Sequence, residues 1–308
     1  MAQTIVSNAT EPGLTGQAPA EPAATAGATR LLVAGMTRTD GELRLAELAP
    51  VAAQCGFSSD QVRSCLRRMV AAGLFEREGA GRTAVYRATA RGLRLLRERL
   101  RNLKLAYRQD AGAAPWNGEW HLVGFAVPEA RRDARDALRD LLITLGGAAL
   151  QGGLYVSCHA WESAVRDAAK ELGVEGCLTL ATSVDLEVAG TREPRCIARA
   201  LWPIDELAIH YERFVARYRS APEALEARIE SGQPLEDAEL IPGALAMVRA
   251  WADSPNQDPF LPAELLPDPW PGREARELLL RSRRLALAAR RERGSLTLFS
   301  GLDESVAV

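Results

Sequence analysis

The sequence predicts an α+β fold in three structural units, and three observations support this prediction. Residues 29–88 show three helical patterns followed by a hairpin pattern. The middle of the chain alternates apolar, strand-like segments with amphipathic, helix-like ones, and the last third shows helical periodicity alone. We expect a disordered arm at 1–28, a first folded unit at 29–88 and a linker helix at 89–115. A second folded unit follows at 116–190 and a helical C-terminal unit at 191–308.

Composition and motifs exclude several classes of protein. The 308 residues are 47% hydrophobic and 25% charged, which is typical of a soluble globular chain. No apolar run approaches the roughly 18 residues of a membrane span, and the start lacks the charged and apolar regions of a secretory signal. The five cysteines are scattered and odd in number, as expected of reduced thiols. We therefore expect a cytoplasmic protein without membrane contact.

The net charge of −2 conceals a strong asymmetry along the chain. Between Thr29 and Arg108 there are 16 Lys/Arg and 7 Asp/Glu, a net charge of +9. Between Gln109 and Val308 there are 22 Lys/Arg and 31 Asp/Glu, a net charge of −9. Such asymmetry indicates that the basic segment binds a polyanion.

The basic segment begins with three predicted helices. Thr29–Met36 and Leu45–Cys55 are apolar enough to be short helices. Either Ser58 or Ser59 can cap the third, which Gly73 ends. Its apolar positions Val62, Leu66, Met69 and Val70 recur at helical spacing. On a helical wheel, Val62, Leu66 and Met69 are predicted to face the core.

A hairpin pattern follows these helices directly. The segments LFERE and RTAVYRA read as two strands joined across GAG, whose glycines suit positive φ angles. Helix, helix, turn, helix and hairpin is the order of a winged helix-turn-helix, a DNA-binding unit. The third helix would then lie in the major groove of double-stranded DNA, with the hairpin against the backbone or minor groove.

Arginines dominate the outward face of the predicted third helix. Arg63 and Arg67 lie one turn apart, and each guanidinium could bind guanine bidentately or clamp a phosphate. The alternative is that these arginines are ordinary solvated surface charges. The predicted DNA-binding residues are Ser59, Gln61, Arg63, Ser64, Arg67 and Arg68 on the helix, and Arg77, Arg82 and Thr83 on the hairpin.

The next helix carries two stripes, and two interpretations remain open. Thr89 caps it, an apolar seam runs through Leu93, Leu96, Leu100, Leu103 and Tyr107, and a basic stripe runs through Arg91, Arg94, Arg101, Lys104 and Arg108. One interpretation is a dimer or docking seam with phosphate contacts alongside. The other is a connector helix packed on its own domain with a solvated outer face.

The middle segment predicts a ferredoxin-like βαββαβ unit. The predicted elements are strand Trp120–Val127, helix Glu129–Leu145, strands Ala148–Gln151 and Leu154–Ser157, helix Trp161–Leu172 and strand Leu178–Val188. The last third, from about Pro203, is expected to be helical.

Five segments together resemble the PaaX family of repressors of phenylacetic acid degradation. They read VRSCLRRMVAAGLFERE, GRTAVYRATARG, WNGEWHLVGFAVPEARRDARDALRDLL, LQGGLYVS and DPFLPAELLPDPWPGREAREL. The first is generic to winged-helix regulators, whereas Trp-x-Gly-x-Trp and LP-x-ELLP-x-x-WPG are far more specific. The resemblance covers the chain apart from the N-terminal arm and the last residues.

The resemblance implies two properties beyond DNA binding. The middle unit is similar to a small CRISPR adaptation nuclease whose active members use an Asp at the end of the first strand. Here that position reads Gly124–Pro128 with no carboxylate, so we expect dimerisation rather than nuclease activity. The implied effector is an acyl-CoA thioester, for which Tyr211, Arg213 and Arg217 are candidate contacts. The alternative is an amphipathic helix with a solvated basic edge.

No catalytic site, metal site or cofactor is predicted. His121, His159 and His210 form no ligand motif, and Cys-x-x-Cys, His-Glu-x-x-His, phosphate-loop and nucleophile-elbow patterns are absent from the sequence. An enzyme is thus the weak alternative. We expect a dimeric repressor released from a double-stranded DNA operator by an acyl-CoA effector. The other alternative is a winged-helix activator, or a constitutive DNA-binding protein without a small-molecule ligand.

Overall fold

The computed structural model describes residues 26–254, 258–291 and 298–300. It contains two small antiparallel sheets and a helical C-terminal part, so the predicted α+β class is confirmed. The predicted disordered arm, 1–28, lies outside the described residues except for its last three, which begin the first helix. None of the described helices is both long and apolar enough to cross a membrane.

The N-terminal unit combines three helices with a three-stranded sheet. Its elements are α1 (Ala26–Met36), β1 (Glu42–Arg44), α2 (Leu45–Gln54), α3 (Ser59–Ala71), β2 (Phe75–Glu78) and β3 (Val85–Ala88). The strands lie in the order β1-β3-β2 and all pair antiparallel. The strand predicted over RTAVYRA begins later than expected, because Gly81–Thr83 form a turn of 3-10 helix. Strand β1 was not predicted, because its three residues are too few to show an alternating pattern.

A 21-residue helix, α4 (Ala90–Asp110), leaves this unit. Thr89 caps it by accepting a hydrogen bond from the Gly92 N–H at 3.1 Å. A Cβ atom at Gly92 would lie 2.1 Å from the carbonyl oxygen of Leu74, so only glycine permits this approach. Further along, Leu103 is only 8% exposed within a single chain. Leu103 therefore packs inside the protein, as the connector interpretation expects, whereas Leu93, Leu96 and Leu100 of the seam are half-buried.

The middle unit is a four-stranded antiparallel sheet with two helices. Its elements are β4 (Trp120–Phe125), α5 (Arg132–Thr144), β5 (Ala148–Gln151), β6 (Leu154–Ser157), α6 (Glu162–Leu172) and β7 (Leu178–Ser183). The strand order is β5-β6-β4-β7, and the central strand β4 pairs antiparallel with both β6 and β7.

Three element boundaries in this unit differ from the predictions by more than one residue. Strand β4 ends at Phe125, three residues before Pro128, which has no N–H to donate to a ladder. A 3-10 turn over Glu129–Arg131 delays α5 to Arg132. Strand β7 ends at Ser183, because the Asp185 N–H bonds the Ser183 hydroxyl at 3.1 Å and turns the chain away from the sheet.

Helices make up the C-terminal part. They are α7 (Pro194–Leu201), α8 (Ile204–Tyr218), α9 (Ala221–Glu230), α10 (Asp237–Ala252) and α11 (Pro271–Ala289). Helix α7 lies within the predicted helical unit, 191–308, but begins before Pro203, from which helices were expected. The core between α8 and α11 contains Leu207, Phe214 and Leu279. In contrast, Ile241 and Leu245 of α10 belong to the core of the N-terminal unit. The C-terminal part is therefore packed directly against the N-terminal unit.

Candidate nucleic-acid interface

Helix α3 has a well-defined start. Ser58 is its N-cap, and its hydroxyl accepts a hydrogen bond from the Gln61 N–H at 3.2 Å. The Gln61 side-chain oxygen accepts a hydrogen bond from the Ser58 N–H at 2.7 Å in return. This reciprocal arrangement is a capping box, which satisfies two backbone donors at the end of a helix. Of the two predicted caps, Ser58 and not Ser59 has this role, and Gln61 contributes to the cap through its side-chain oxygen.

One face of α3 is fixed in the core of the N-terminal unit. Val62, Leu66 and Met69 are buried, as their spacing predicts, and Cys65 is buried beside them. The unfavourable desolvation of a thiolate raises the pKa of the Cys65 thiol. Because this face is anchored, the orientation of the opposite face is fixed by the fold.

The opposite face of α3 presents three exposed arginines, Arg63, Arg67 and Arg68. Arg63 Nε donates to the carbonyl oxygen of Ser59 at 3.2 Å, and Arg68 donates to the Ser64 hydroxyl at 3.3 Å. The nearest carboxylate to Arg63 is Asp60, at 4.0 Å. Within the described part of the chain, no carboxylate pairs with Arg67 or Arg68. This face therefore presents guanidinium groups that an external anion can bind.

The hairpin that follows adds further cations. Arg77 lies in β2 opposite Tyr86, and Arg82 and Thr83 lie in the 3-10 turn at the tip. The Thr83 hydroxyl donates to the carbonyl oxygen of Ala80 at 3.3 Å and shapes this turn. In the ranges that the structure describes, neither Arg77 nor Arg82 is paired with an acidic side chain.

Another arginine on this sheet is neutralised. Arg87 contacts Glu42 at 2.9 Å and Glu78 at 3.0 Å. Arg44 also bonds Glu42, and these guanidinium groups lower the pKa of the Glu42 carboxyl, with the Arg44 hydrogen bond as the main cause. Among the described residues of this sheet, Arg44 and Arg87 are therefore paired with carboxylates, whereas Arg77 is not.

Part of the basic stripe on α4 is also neutralised within the chain. Arg94 forms a two-pronged hydrogen bond with the carboxylate of Glu171 on α6. Arg101 contacts Glu98 one turn away at 2.9 Å. The contact between Arg94 and Glu171 joins α4 to the middle unit. Because Glu171 balances its charge, Arg94 is not an unpaired cation.

The three candidate effector contacts on α8 do not form one site. Tyr211 is 1% exposed, and its hydroxyl donates to Asp258 Oδ2 at 2.6 Å. Burial is the main reason that the pKa of Tyr211 lies well above its usual value. Arg213 and Arg217 are exposed, and Arg217 lies 5.5 Å above the ring of Tyr218. Residues two apart on a helix point to different sides, so Tyr211 faces the core and not the arginines.

The histidines have structural partners. His121 contacts Glu162 at 2.6 Å, His159 contacts the carbonyl oxygen of Phe260 at 2.9 Å, and His210 contacts that of Trp251 at 2.9 Å. Among the residues described by the structure, no three His, Cys, Asp or Glu side chains are grouped as metal ligands would be.

Family models match three successive parts of the chain. Residues 28–92 match the model for a PaaX-like protein, and residues 113–196 match the PaaX protein central Cas2-like domain. Residues 202–292 match the PaaX-like protein C-terminal domain. The three matches follow one another in the order of the three structural units.

Individual relatives were found by sequence and by structure. The chain is 27% identical over 247 residues to the transcriptional repressor PaaX of Escherichia coli K12, covering 80% of this chain and 74% of that protein. The uncharacterized protein Rv0674 from Mycobacterium tuberculosis aligns with a TM-score of 0.41 at 24% identity, covering 80% of this chain and 89% of that one. With three consecutive family models matched and this repressor as a relative, the chain belongs to the PaaX family.

Proposed function

We propose that this protein is a transcriptional repressor that binds double-stranded DNA through α3. The observation that carries the proposal is the outward face of α3, where Arg63, Arg67 and Arg68 are exposed on a helix whose other face is anchored in the core. Among the described residues, Arg67 and Arg68 have no carboxylate partner, and Arg63 has only Asp60 at 4.0 Å. The family relationship to a transcriptional repressor supports a regulator and not an enzyme.

We interpret the N-terminal unit as a winged helix-turn-helix. The supporting facts are the succession of α2 and α3, the hairpin of β2 and β3, and the sheet order β1-β3-β2. In such units the second helix of the pair enters the major groove, whose width of about 12 Å admits one helix. Arg63 and Arg67 would then reach base edges or phosphates, while Arg77 and Arg82 would contact the backbone from the hairpin.

Phosphate contacts would supply much of the affinity. Each phosphate neutralised by Lys or Arg releases condensed counterions, so affinity falls steeply as salt rises. The net charge of +9 between Thr29 and Arg108 is consistent with this mode of binding. Base contacts by the α3 arginines would add discrimination between sequences.

We further propose that the protein acts as a homodimer through its middle unit. The βαββαβ element order and the strand order β5-β6-β4-β7 support a ferredoxin-like interpretation of this unit. Two copies would present two α3 helices to a near-palindromic operator, with half-sites about one or two helical turns apart.

The proposed signal for release is an acyl-CoA thioester. A ligand that binds the DNA-free geometry better than the DNA-bound one weakens operator binding. A coupling free energy of about 1–3 kcal/mol would give roughly 5- to 150-fold weaker binding.

A mobility-shift assay tests this function with DNA from the promoters around the protein's own gene, with and without phenylacetyl-CoA. A shifted band that disappears when the thioester is added supports both DNA binding and its release by the effector. A band that persists supports a constitutive DNA-binding protein and removes the effector from the proposal. No shift even at low salt contradicts DNA binding. Transcription from the same promoter in vitro then distinguishes a repressor from an activator.

A further inference from the structure

A cavity of about 280 Å³ lies where the N-terminal unit meets the C-terminal helices. Its walls come from α1, the end of α3 and start of β2, the start of α4, and the last turn of α10. Most of the lining is apolar, and the side chains that matter most here are Leu31, Ala34, Met69, Leu74, Phe75 and Leu96.

Charged groups also line this apolar cavity. Arg30 on α1 and Arg249 on α10 both contribute to the wall; Arg30 is exposed and Arg249 is half-buried. Over the stretches of chain that the structure describes, neither guanidinium has a carboxylate partner. Asp253 contributes one opposing charge and is exposed. The lining therefore has a net positive charge beside a hydrophobic space.

We propose that this cavity binds a small apolar acid or its thioester. The apolar group, about the size of one ring, would occupy the space between α1, α4 and β2, and its anionic part would bind Arg30 and Arg249. An apolar cavity of about 150 Å³ holds benzene, so 280 Å³ accommodates a ring with a short side arm. A whole coenzyme A does not fit, so the coenzyme part of a thioester would extend past the arginines to solvent.

The position of the cavity connects ligand binding to the DNA-binding surface. Met69 belongs to α3, Phe75 begins β2 and Leu74 directly precedes it, so these three lining residues lie on or next to the elements proposed to contact DNA. On the opposite wall, Arg249 belongs to the helix whose Ile241 and Leu245 pack in the core of the N-terminal unit. A ligand between these walls would alter how α10 sits against the N-terminal unit. The choice of a thioester ligand and this effect on DNA binding rest on the proposed function, whereas the binding of an apolar anion to the cavity is argued from its lining alone.

Methionine methyl groups allow the site to be located by NMR in the full-length protein. Met69 lines the cavity, while Met247 packs with Tyr211 and Phe214, on the helix that carries Arg213 and Arg217. The probes are phenylacetate, phenylacetyl-CoA and free coenzyme A, titrated without DNA. We expect phenylacetate or its thioester to bind and to shift the Met69 methyl signal, with little change at Met247. Binding that shifts Met247 alone, or no binding of either phenylacetyl compound, would overturn the proposal.

Calorimetry with substituted proteins tests the role of the cations. Arg249→Gln should weaken binding of the phenylacetyl probe about tenfold or more, because it removes a charge-assisted hydrogen bond from a partly buried site. Arg217→Gln, a helical arginine away from the cavity, is the matched control and should leave binding unchanged. If both variants bind as the wild type does, or if only Arg217→Gln loses binding, the assignment is wrong.

A second variant distinguishes loss of binding caused by a filled cavity from loss caused by misfolding. Ala34→Leu places added side-chain volume in the cavity and should abolish probe binding while leaving cooperative thermal unfolding intact. If Ala34→Leu stays folded and still binds the probe with wild-type affinity, the cavity is not the site. DNA affinity of the ligand-free proteins is measured separately. If the protein binds the probe but not DNA, the proposed function is contradicted and the ligand site is still supported.

Discussion

Arg276 and Asp110 form a buried, two-pronged ion pair that joins α11 to the end of α4. Arg276 Nε lies 2.6 Å from Asp110 Oδ2, and Arg276 Nη2 lies 2.8 Å from Asp110 Oδ1. Arg276 is 4% exposed, and its remaining terminal nitrogen lies 3.9 Å from Asp258, which also accepts the Tyr211 hydroxyl. The helix that leaves the N-terminal unit is thus fixed to the C-terminal helices by a charge pair with specific geometry.

Breaking this pair should destabilise the protein strongly. Asp110→Asn leaves the Arg276 guanidinium buried without its bidentate partner, and loss of one member of a buried pair costs about 3–5 kcal/mol. Because Asp258 lies within 4 Å of Arg276, we expect the lower end, about 3 kcal/mol, in urea unfolding. Arg281→Gln is the control: it lies on the same helix as Arg276, removes an exposed pair with Glu226 of α9, and should destabilise the protein far less. Equal losses in the two variants would show that the buried pair has no special role.

The contribution of the α3 cap to stability can be measured by substituting the adjacent serines Ser58 and Ser59. Ser58→Ala removes the side-chain acceptor for the Gln61 N–H and should lower the free energy of unfolding by about 1 kcal/mol. Ser59→Ala, one position later, removes no capping bond and should leave stability within about 0.5 kcal/mol of the wild type. The assignment of the cap would fail if Ser59→Ala were the more damaging change in thermal or urea unfolding.

His159 should make the protein less stable in mild acid. Its pKa is lowered chiefly because burial disfavours the imidazolium, and the carbonyl oxygens of Phe260 and Pro259 only partly oppose this. Below the usual value of about 6.5, the unfolded chain therefore binds a proton that the folded protein does not. Stability should be full above that pH and fall as pH decreases from about 6.5.

Substitution of His159 isolates this contribution. His159→Gln retains a donor for the Phe260 carbonyl oxygen but does not titrate. Urea unfolding at pH 7.5, 6.5 and 5.5 should show a shallower decline for the variant than for the wild type. Parallel declines in the two proteins would mean that other groups cause the acid sensitivity.

Local patterns were sufficient to predict α3 and its surroundings. Val62, Leu66 and Met69 recur at helical spacing, and all three are buried, because a helix packed on one side buries residues three and four apart. The α+β class followed equally from alternating segments around β4 and α5. These features depend on neighbouring residues, which the sequence displays directly.

Features that depend on distant residues were not predictable. Strand β1 is defined by its pairing with β3, where Leu43 lies opposite Tyr86, and three residues alone show no such partner. A tyrosine side chain such as that of Tyr211 can serve either as a ligand contact or as a core residue. Only the packing of α8 against α11 shows that Tyr211 is buried. The cavity likewise brings together Arg30 and Arg249, which are far apart in the chain.

The central claim is that the exposed face of α3 binds DNA, and fluorescence anisotropy with an operator fragment tests it most directly. Arg67→Ala should weaken binding by about 1–3 kcal/mol, roughly 5- to 150-fold, if its guanidinium contacts a base bidentately. Arg63→Ala should also weaken binding, while Arg213→Ala, an exposed arginine on α8, should not. The exposed positions predict wild-type thermal stability for all three variants. If Arg63→Ala and Arg67→Ala each bind the operator as tightly as the wild type, α3 is not the DNA-reading helix.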